Sequence, residues 1–292
     1  MNRKLVRGLS GIFIITAAFI LTDCATVKSG STAGRKKVLL QYNYPQDNAV
    51  KYQLNSKIVQ TLDIQGMVMD VNVITTSGFS IKSAGKEADN LKLTILIDTM
   101  AQSMETPNGY SGGAITDAIG KSFDMVISEI GKEIDLSGAN ELTYDIPGSG
   151  QTNAVSTFAE FFPDMPAGKV KPGHAWTSTD SVNAVSPTST TVSYTVSENI
   201  FEGIENIDGI ECAKITSTLS GNQTMETQAQ GMDIKTSGPF TGTSTVFFAI
   251  GEGYFVKQTI NIKLDGELEL TYPQEMTMPL TMEMSSVNEV VK

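Results

Sequence analysis

Past residue 37 the apolar side chains of this chain recur at every second position. Val38, Leu40 and Tyr42 alternate with other residues, as do Leu91, Leu93, Ile95 and Ile97, and again Val192, Tyr194 and Val196. A backbone whose side chains switch faces at each residue is a β-strand, so such runs describe strands with one buried and one wet face. Gly- and Asn-containing pairs punctuate the runs: Gln65-Gly66, Asp208-Gly209, Ser220-Gly-Asn222, Glu252-Gly253 and Asp265-Gly266. Asp-Gly between alternating runs marks a hairpin, because both turn residues must reach positive φ. Thr245–Leu270 accordingly reads as a three-stranded meander with runs Val246–Ile250, Tyr254–Leu264 and Glu267–Leu270.

Helices are few. Thr152–Phe162 places Ala154, Val155, Phe158, Phe161 and Phe162 on one helical face, with Thr152 or Asn153 to cap it and Pro163 to end it. A shorter helix is expected over Ala114–Ile119, with Ile115, Ala118 and Ile119 as its apolar face. The fold class predicted is mainly β (α+β): a curved antiparallel sheet or half-open barrel with one or two short helices. Pro163–Gly173, with three prolines and two glycines, reads as a link between two β-rich halves, 37–162 and 174–292. Met125–Gly131 faintly echoes Val246–Gly251, so the halves could be similar.

The N-terminus has a different character. Arg3, Lys4 and Arg7 precede the fourteen-residue apolar stretch Leu9–Thr22. That is too short to span a bilayer and suits the core of a signal peptide. It ends at Leu21-Thr-Asp-Cys24, which resembles the bacterial lipobox, in which a leucine lies three residues before the cysteine that takes the lipid. Leu21, Thr22 and Cys24 match; Asp23 departs from the small residue normal there. The resemblance implies a signal peptide over 1–23, lipidation at Cys24, a tether over 24–36 and a membrane partner reached through the lipid. Ala25–Ser29 holds no acidic residue of the kind that lipid-anchored surface proteins of some bacteria carry there, which implies the periplasmic face of the outer membrane.

Composition narrows the function. The formal charge is -11, and losing the three cations and one anion of the signal peptide would take it to -13. Such acidity argues against nucleic acid and against electrostatic docking on anionic lipid heads. His174 is the sole histidine and sits in a Pro-Gly turn, which makes it an exposed turn residue more than a catalytic base. Trp176, the sole tryptophan, reads as a core anchor or, less simply, a stacking platform. Cys212 alternates with Ile210 and reads as a buried free thiol. The acidic run Glu198, Glu202, Glu205, Asp208 and Glu211 lacks calcium-loop spacing and reads as a wet hairpin face. The C-terminal Met276, Met278, Leu280, Met282 and Met284 occupy alternate positions and would share one face. Thioethers can select Cu(I). A pliable apolar edge strand, with Pro279 tolerated at the edge, explains the pattern more simply. No catalytic residues, metal site or cofactor are expected, and the chain is not expected to be an enzyme.

Three stretches in order, Phe123–Gly138, Val170-Lys-Pro-Gly-His-Ala-Trp176 and Gly209–Ile215, resemble a family of Bacteroidetes lipoproteins of unknown function. The helix-poor β pattern is similar, more loosely, to periplasmic lipoprotein carriers that wrap a half-open barrel around a few helices. The function expected is a membrane-anchored periplasmic lipoprotein acting as a structural or interaction module. The alternative is one that carries a lipid or other hydrophobic ligand.

Overall fold

The computed structural model describes residues 37–291, apart from residues 65, 108, 148–149, 230–231 and 273–274. The described residues form one compact unit. Its strands in order are β1 (Val38–Leu39), β2 (Val50–Ile64), β3 (Met67–Glu87), β4 (Asn90–Thr106), β5 (Gly109–Ala114), β6 (Ser122–Ile127) and β7 (Glu133–Asp135). Then come the helix α1 (Ser137–Glu141), β8 (Thr143–Ile146), β9 (Gly150–Asn153), the helix α2 (Val155–Phe158) and β10 (Lys169–Val170). The chain finishes with β11 (Ala175–Val185), β12 (Ser189–Ile207), β13 (Ile210–Ala229), β14 (Met232–Ala249), β15 (Tyr254–Tyr272) and β16 (Met276–Val290).

The predicted fold class holds: the protein is a large, curved, open antiparallel sheet with two short helices. Its order is β11-β12-β13-β14-β15-β16-β2-β3-β4-β6-β7, and β5 adds to β4. Two meanders, one from each half of the chain, become a single sheet where β16 pairs with β2 from Leu280↔Leu62 to Val290↔Tyr52. The far ends, β7 and β11, share no ladder. A side-chain clasp joins them instead. Lys132, just before β7, donates to the Thr179 carbonyl and to Asp180 on β11, and lies 3.6 Å from Asp164.

The segment between β7 and β11 fills the curl. Phe158 of α2 is fully buried between Phe79 of β3 and Phe123 of β6, with ring centroids 5.0 and 5.1 Å away. Phe161 packs edge-on to Tyr52, and Phe162 edge-on to Tyr42. Asn153 Nδ2 donates to the Val185 carbonyl at 2.7 Å, and Trp176 Nε1 donates to the Asp164 carbonyl. The main core is therefore built from this plug and one end of the sheet.

Several local expectations are corrected. Asp265-Gly266 is no turn: β15 runs straight through it. A Cβ on Gly266 would lie 2.1 Å from the Ser237 carbonyl oxygen and 2.9 Å from Gly238 Cα, so this glycine serves close strand approach and not positive φ. Ser220-Gly-Asn222 likewise lies inside β13, with Gly221 bare beneath the Phe240 ring. Asp208-Gly209 does turn, with φ of 52° and 93°. The helix expected over Thr152–Phe162 shrinks to Val155–Phe158, because Gly150–Asn153 is spent pairing with β8. The five apolar residues expected on its face are all buried nonetheless. Ala114–Ile119 is the end of β5 and a turn; Ile115 and Ala118 are still buried. Val192 and Tyr194 are about half exposed, at 50% and 48%, on the wet face. The opposite positions of β12 carry Thr195, which donates to Glu160 of the plug, and the buried Asn199.

Candidate functional site

The strands outrun the core. Along β14, Val246 belongs to the main core and Ser244 is buried, and the same face continues through Gly242 to Phe240. On β15 that face runs Gln258, Ile260, Ile262, Leu264, Gly266, Leu268 and Leu270, following the strict alternation of the ladder. On β16 it runs Asn288, Ser286, Met284, Met282, Leu280, Met278 and Met276. The methionine stripe read from the sequence thus does share one face. Across β2 it meets Ile58, Gln60 and Leu62, and Leu62 pairs onward with Met69 of β3.

Near the plug this face is polar, at Ser244, Gln258 and Asn288; beyond them it becomes apolar. Leu62, Phe240, Leu264, Met278 and Leu280 form a second cluster, each under 8% exposed, with Ile64, Met69, Ile262, Leu268, Leu270, Met276 and Met282 half-buried against it. All twelve come from β2, β3, β14, β15 and β16, the strands of that face. The opposite face of these strands is polar, with a groove of about 590 Å³ lined by Lys57, Thr243, Asn261, Lys263, Glu283 and Ser285 among others. From Met276 to Met284 the chain rises about 27 Å, and β14 to β2 spans three strand spacings, about 14 Å. Within that area the five central side chains are themselves buried, and the half-buried ones around them carry what apolar surface the face offers.

One expectation about the stripe is overturned. β16 is not an edge strand; it lies between β15 and β2. Pro279 is tolerated because the β2 ladder begins only at Leu280, so its missing N–H falls where β2 makes no demand on it.

The other residues singled out in the sequence are scattered. His174 is exposed, its ring 6.1 Å from that of Trp176, which is half-buried against the core. Cys212 is fully buried with Ala249 and Val256 on the face opposite the main core, and burial pushes its thiol up to about 11. Glu198, Glu202, Glu205, Asp208 and Glu211 are all exposed; Glu205 pairs with Lys214 and Glu202 accepts from Thr216. Among the described residues, no group of three or more His, Cys, Asp or Glu could hold a metal ion. None of their helices is long and apolar enough to cross a membrane. Cys24 lies outside the described residues.

Sequence reading missed the clasp. Glu133 of β7 has its Oε1 buried without a hydrogen-bond partner, and desolvation pushes its carboxyl up to about 9. Asp164 is pushed up to about 6, by desolvation first and then by Asp180, against the pull of Lys132. Nothing in Lys132-Glu133 as a sequence marks it: the burial comes from β11 and the plug arriving from elsewhere in the chain.

No protein-family model matches the chain, and no curated protein is significantly similar to it. Among solved structures, OccK2 (OpdF) of Pseudomonas aeruginosa, determined in complex with glucuronate, aligns over 86% of this chain and 100% of its own. The identity is 5% and the TM-score 0.21. A DUF1329 family protein from Desulfovibrio piger aligns over 82% of this chain and 85% of its own, at 10% identity and a TM-score of 0.14. Similarity of this degree does not establish a common fold.

Proposed function

We propose that the protein is a lipoprotein of the cell envelope, anchored through Cys24 and facing the periplasm, which binds an acyl chain or similar hydrophobic ligand and carries out no catalysis. The observation behind this reading is the apolar face of β14, β15, β16, β2 and β3 beyond the main core. At about 27 Å it exceeds the roughly 15 Å that one leaflet's acyl chain occupies in a bilayer. Burying ten methylenes there would contribute about 8 kcal/mol before the costs of association. Four methionines lend the surface the pliability that chains of varied shape require. The interaction-module reading would make the same face a protein interface. Such interfaces are rich in aromatic rings, and Phe240 is the sole aromatic residue in this cluster, which favours chains over a protein partner.

A fluorescent fatty acid should bind the parent protein with micromolar affinity. Ile262→Ser combined with Met282→Ser, which removes apolar contact without burying charge, should weaken it by more than tenfold, with the melting temperature read alongside to show that the fold is kept. A parent that takes up no fatty acid, or a variant that binds equally, would refute the ligand reading. The anchor is tested separately: Cys24→Ser should abolish incorporation of labelled palmitate and release the protein from membranes.

A further inference from the structure

Strand β12 is inverted with respect to the core. Its inward positions are polar: Thr195 donates to Glu160 of the plug, and Asn199 is bonded to Ser178 and Ser217. Val192, Tyr194 and Val196 alternate with these and share the outer face, where Val192 and Tyr194 are 50% and 48% exposed. The ladders make this stripe the middle of one patch. Asn183 and Ser181 of β11 lie directly beside Val192 and Tyr194 on one side, and Thr224 and Asn222 of β13 on the other. Val185, 53% exposed, continues the same face along β11, two residues past Asn183. None of these side chains is charged. Charge returns only at the border: Glu198 at one end of the stripe, Glu226 of β13 at the other, and the Lys263–Asp265 pair of β15 beyond β14.

We propose that the outer face of β11, β12 and β13 is where two copies of this chain associate, stripe against stripe about a two-fold axis. An apolar centre with a polar surround and charge only at the margin has the anatomy of a protein interface. Charge decides the partner. The chain carries -11, so two copies repel one another unless they meet through a face without charge, and this face has none. A partner held by its positive charge would find no carboxylate to pair with inside the patch. The flanks point the same way. In a two-fold contact one patch supplies both sides. Ser, Thr and Asn side chains both donate and accept, so rows of them satisfy a copy of themselves. Because such rows lie on both sides of the stripe, a two-fold axis along β12 lays flank on flank as it lays stripe on stripe. The patch is smaller than the roughly 20–30 residues a side of a standard interface, so the dimer is expected to be weak, with a dissociation constant on the order of tens of micromolar. The ligand face lies on the other side of the sheet, so this proposal does not depend on the ligand reading.

Sedimentation equilibrium of the full chain in mild detergent should show monomer and dimer exchanging with concentration. Val192→Asp with Tyr194→Asp sets carboxylates against carboxylates across the axis and should weaken the dimer by about tenfold or more. Both positions are half exposed, so the melting temperature and fatty-acid binding should stay at their parent values. The milder Val192→Ser, Tyr194→Ser variant should weaken it less. A cross-linking pair locates the contact: Tyr194→Cys should be joined to its counterpart by a short bismaleimide, while Asn261→Cys, exposed on the outer face but outside the patch, should not. A parent that stays monomeric at about ten times the expected dissociation constant overturns the proposal. So does a dimer that the aspartates leave intact, which would place the contact elsewhere, or equal cross-linking at the two cysteines. A monomeric parent that takes up a glycan or another protein through Val192 and Tyr194 would likewise overturn it, by giving the face to a different partner.

Discussion

Glu133→Gln is expected to stabilise the protein at pH 8 and to flatten its stability between pH 5 and 9. In the folded protein the Glu133 carboxyl is held up to about 9, because its ionised form would be buried against the β11 edge and the plug beside Asp180 and Asp164. In the unfolded chain it titrates near its ordinary value. The folded state therefore keeps a proton that the unfolded state releases. Below pH 4.5 both are protonated and nothing is lost. Above it, stability falls by at most about 1.4 kcal/mol for each pH unit until the pH passes the folded value. Asp164, held up to about 6, adds loss of the same sign over the lower part of that window. The accumulated effect by pH 8 is on the order of a few kcal/mol, a large share of a typical domain's stability. Glutamine keeps the shape and cannot ionise. Urea unfolding of parent and variant at pH 5 and pH 8 reads the difference directly. Equal pH slopes would show that Glu133 is hydrated in solution and that the clasp does not hold β7 against β11.

Phe158→Ala should cost about 3–5 kcal/mol, in the upper range for a core truncation. Phe158 is fully buried, and its ring touches Phe79, Phe123 and Phe161 within 5.1 Å between centroids. Those rings come from β3, β6 and the plug itself, so the cavity would open at the junction of three elements that cannot all collapse into it. Phe158→Leu restores most of the volume and should recover more than half of the loss. A drop in urea midpoint at constant m-value is the expected signature; a fall in m as well would mean that the plug has left the sheet. A cost below about 1 kcal/mol would be incompatible with a docked plug.

What the sequence by itself determined is what depends on near neighbours along the chain. Strict alternation is a property of the extended backbone, so the strands, the shared face of Met276, Met278, Leu280, Met282 and Met284, and the Asp208-Gly209 turn were all legible. The burial of Phe158, Phe161 and Phe162 was legible too, since large rings must leave water whatever backbone carries them. Only the tertiary structure decided which face of an alternating strand is buried, as Val192 and Tyr194 on the wet side of β12 demonstrate. It decided that β16 is central, because its partner β2 lies over two hundred residues earlier in the chain. It decided that Gly266 and Gly221 are places where strands crowd together and not turns, since a glycine's local signal is the same for both. And it decided that Glu133 is buried, because desolvation is the work of elements far away in sequence and leaves no trace in the residues beside it.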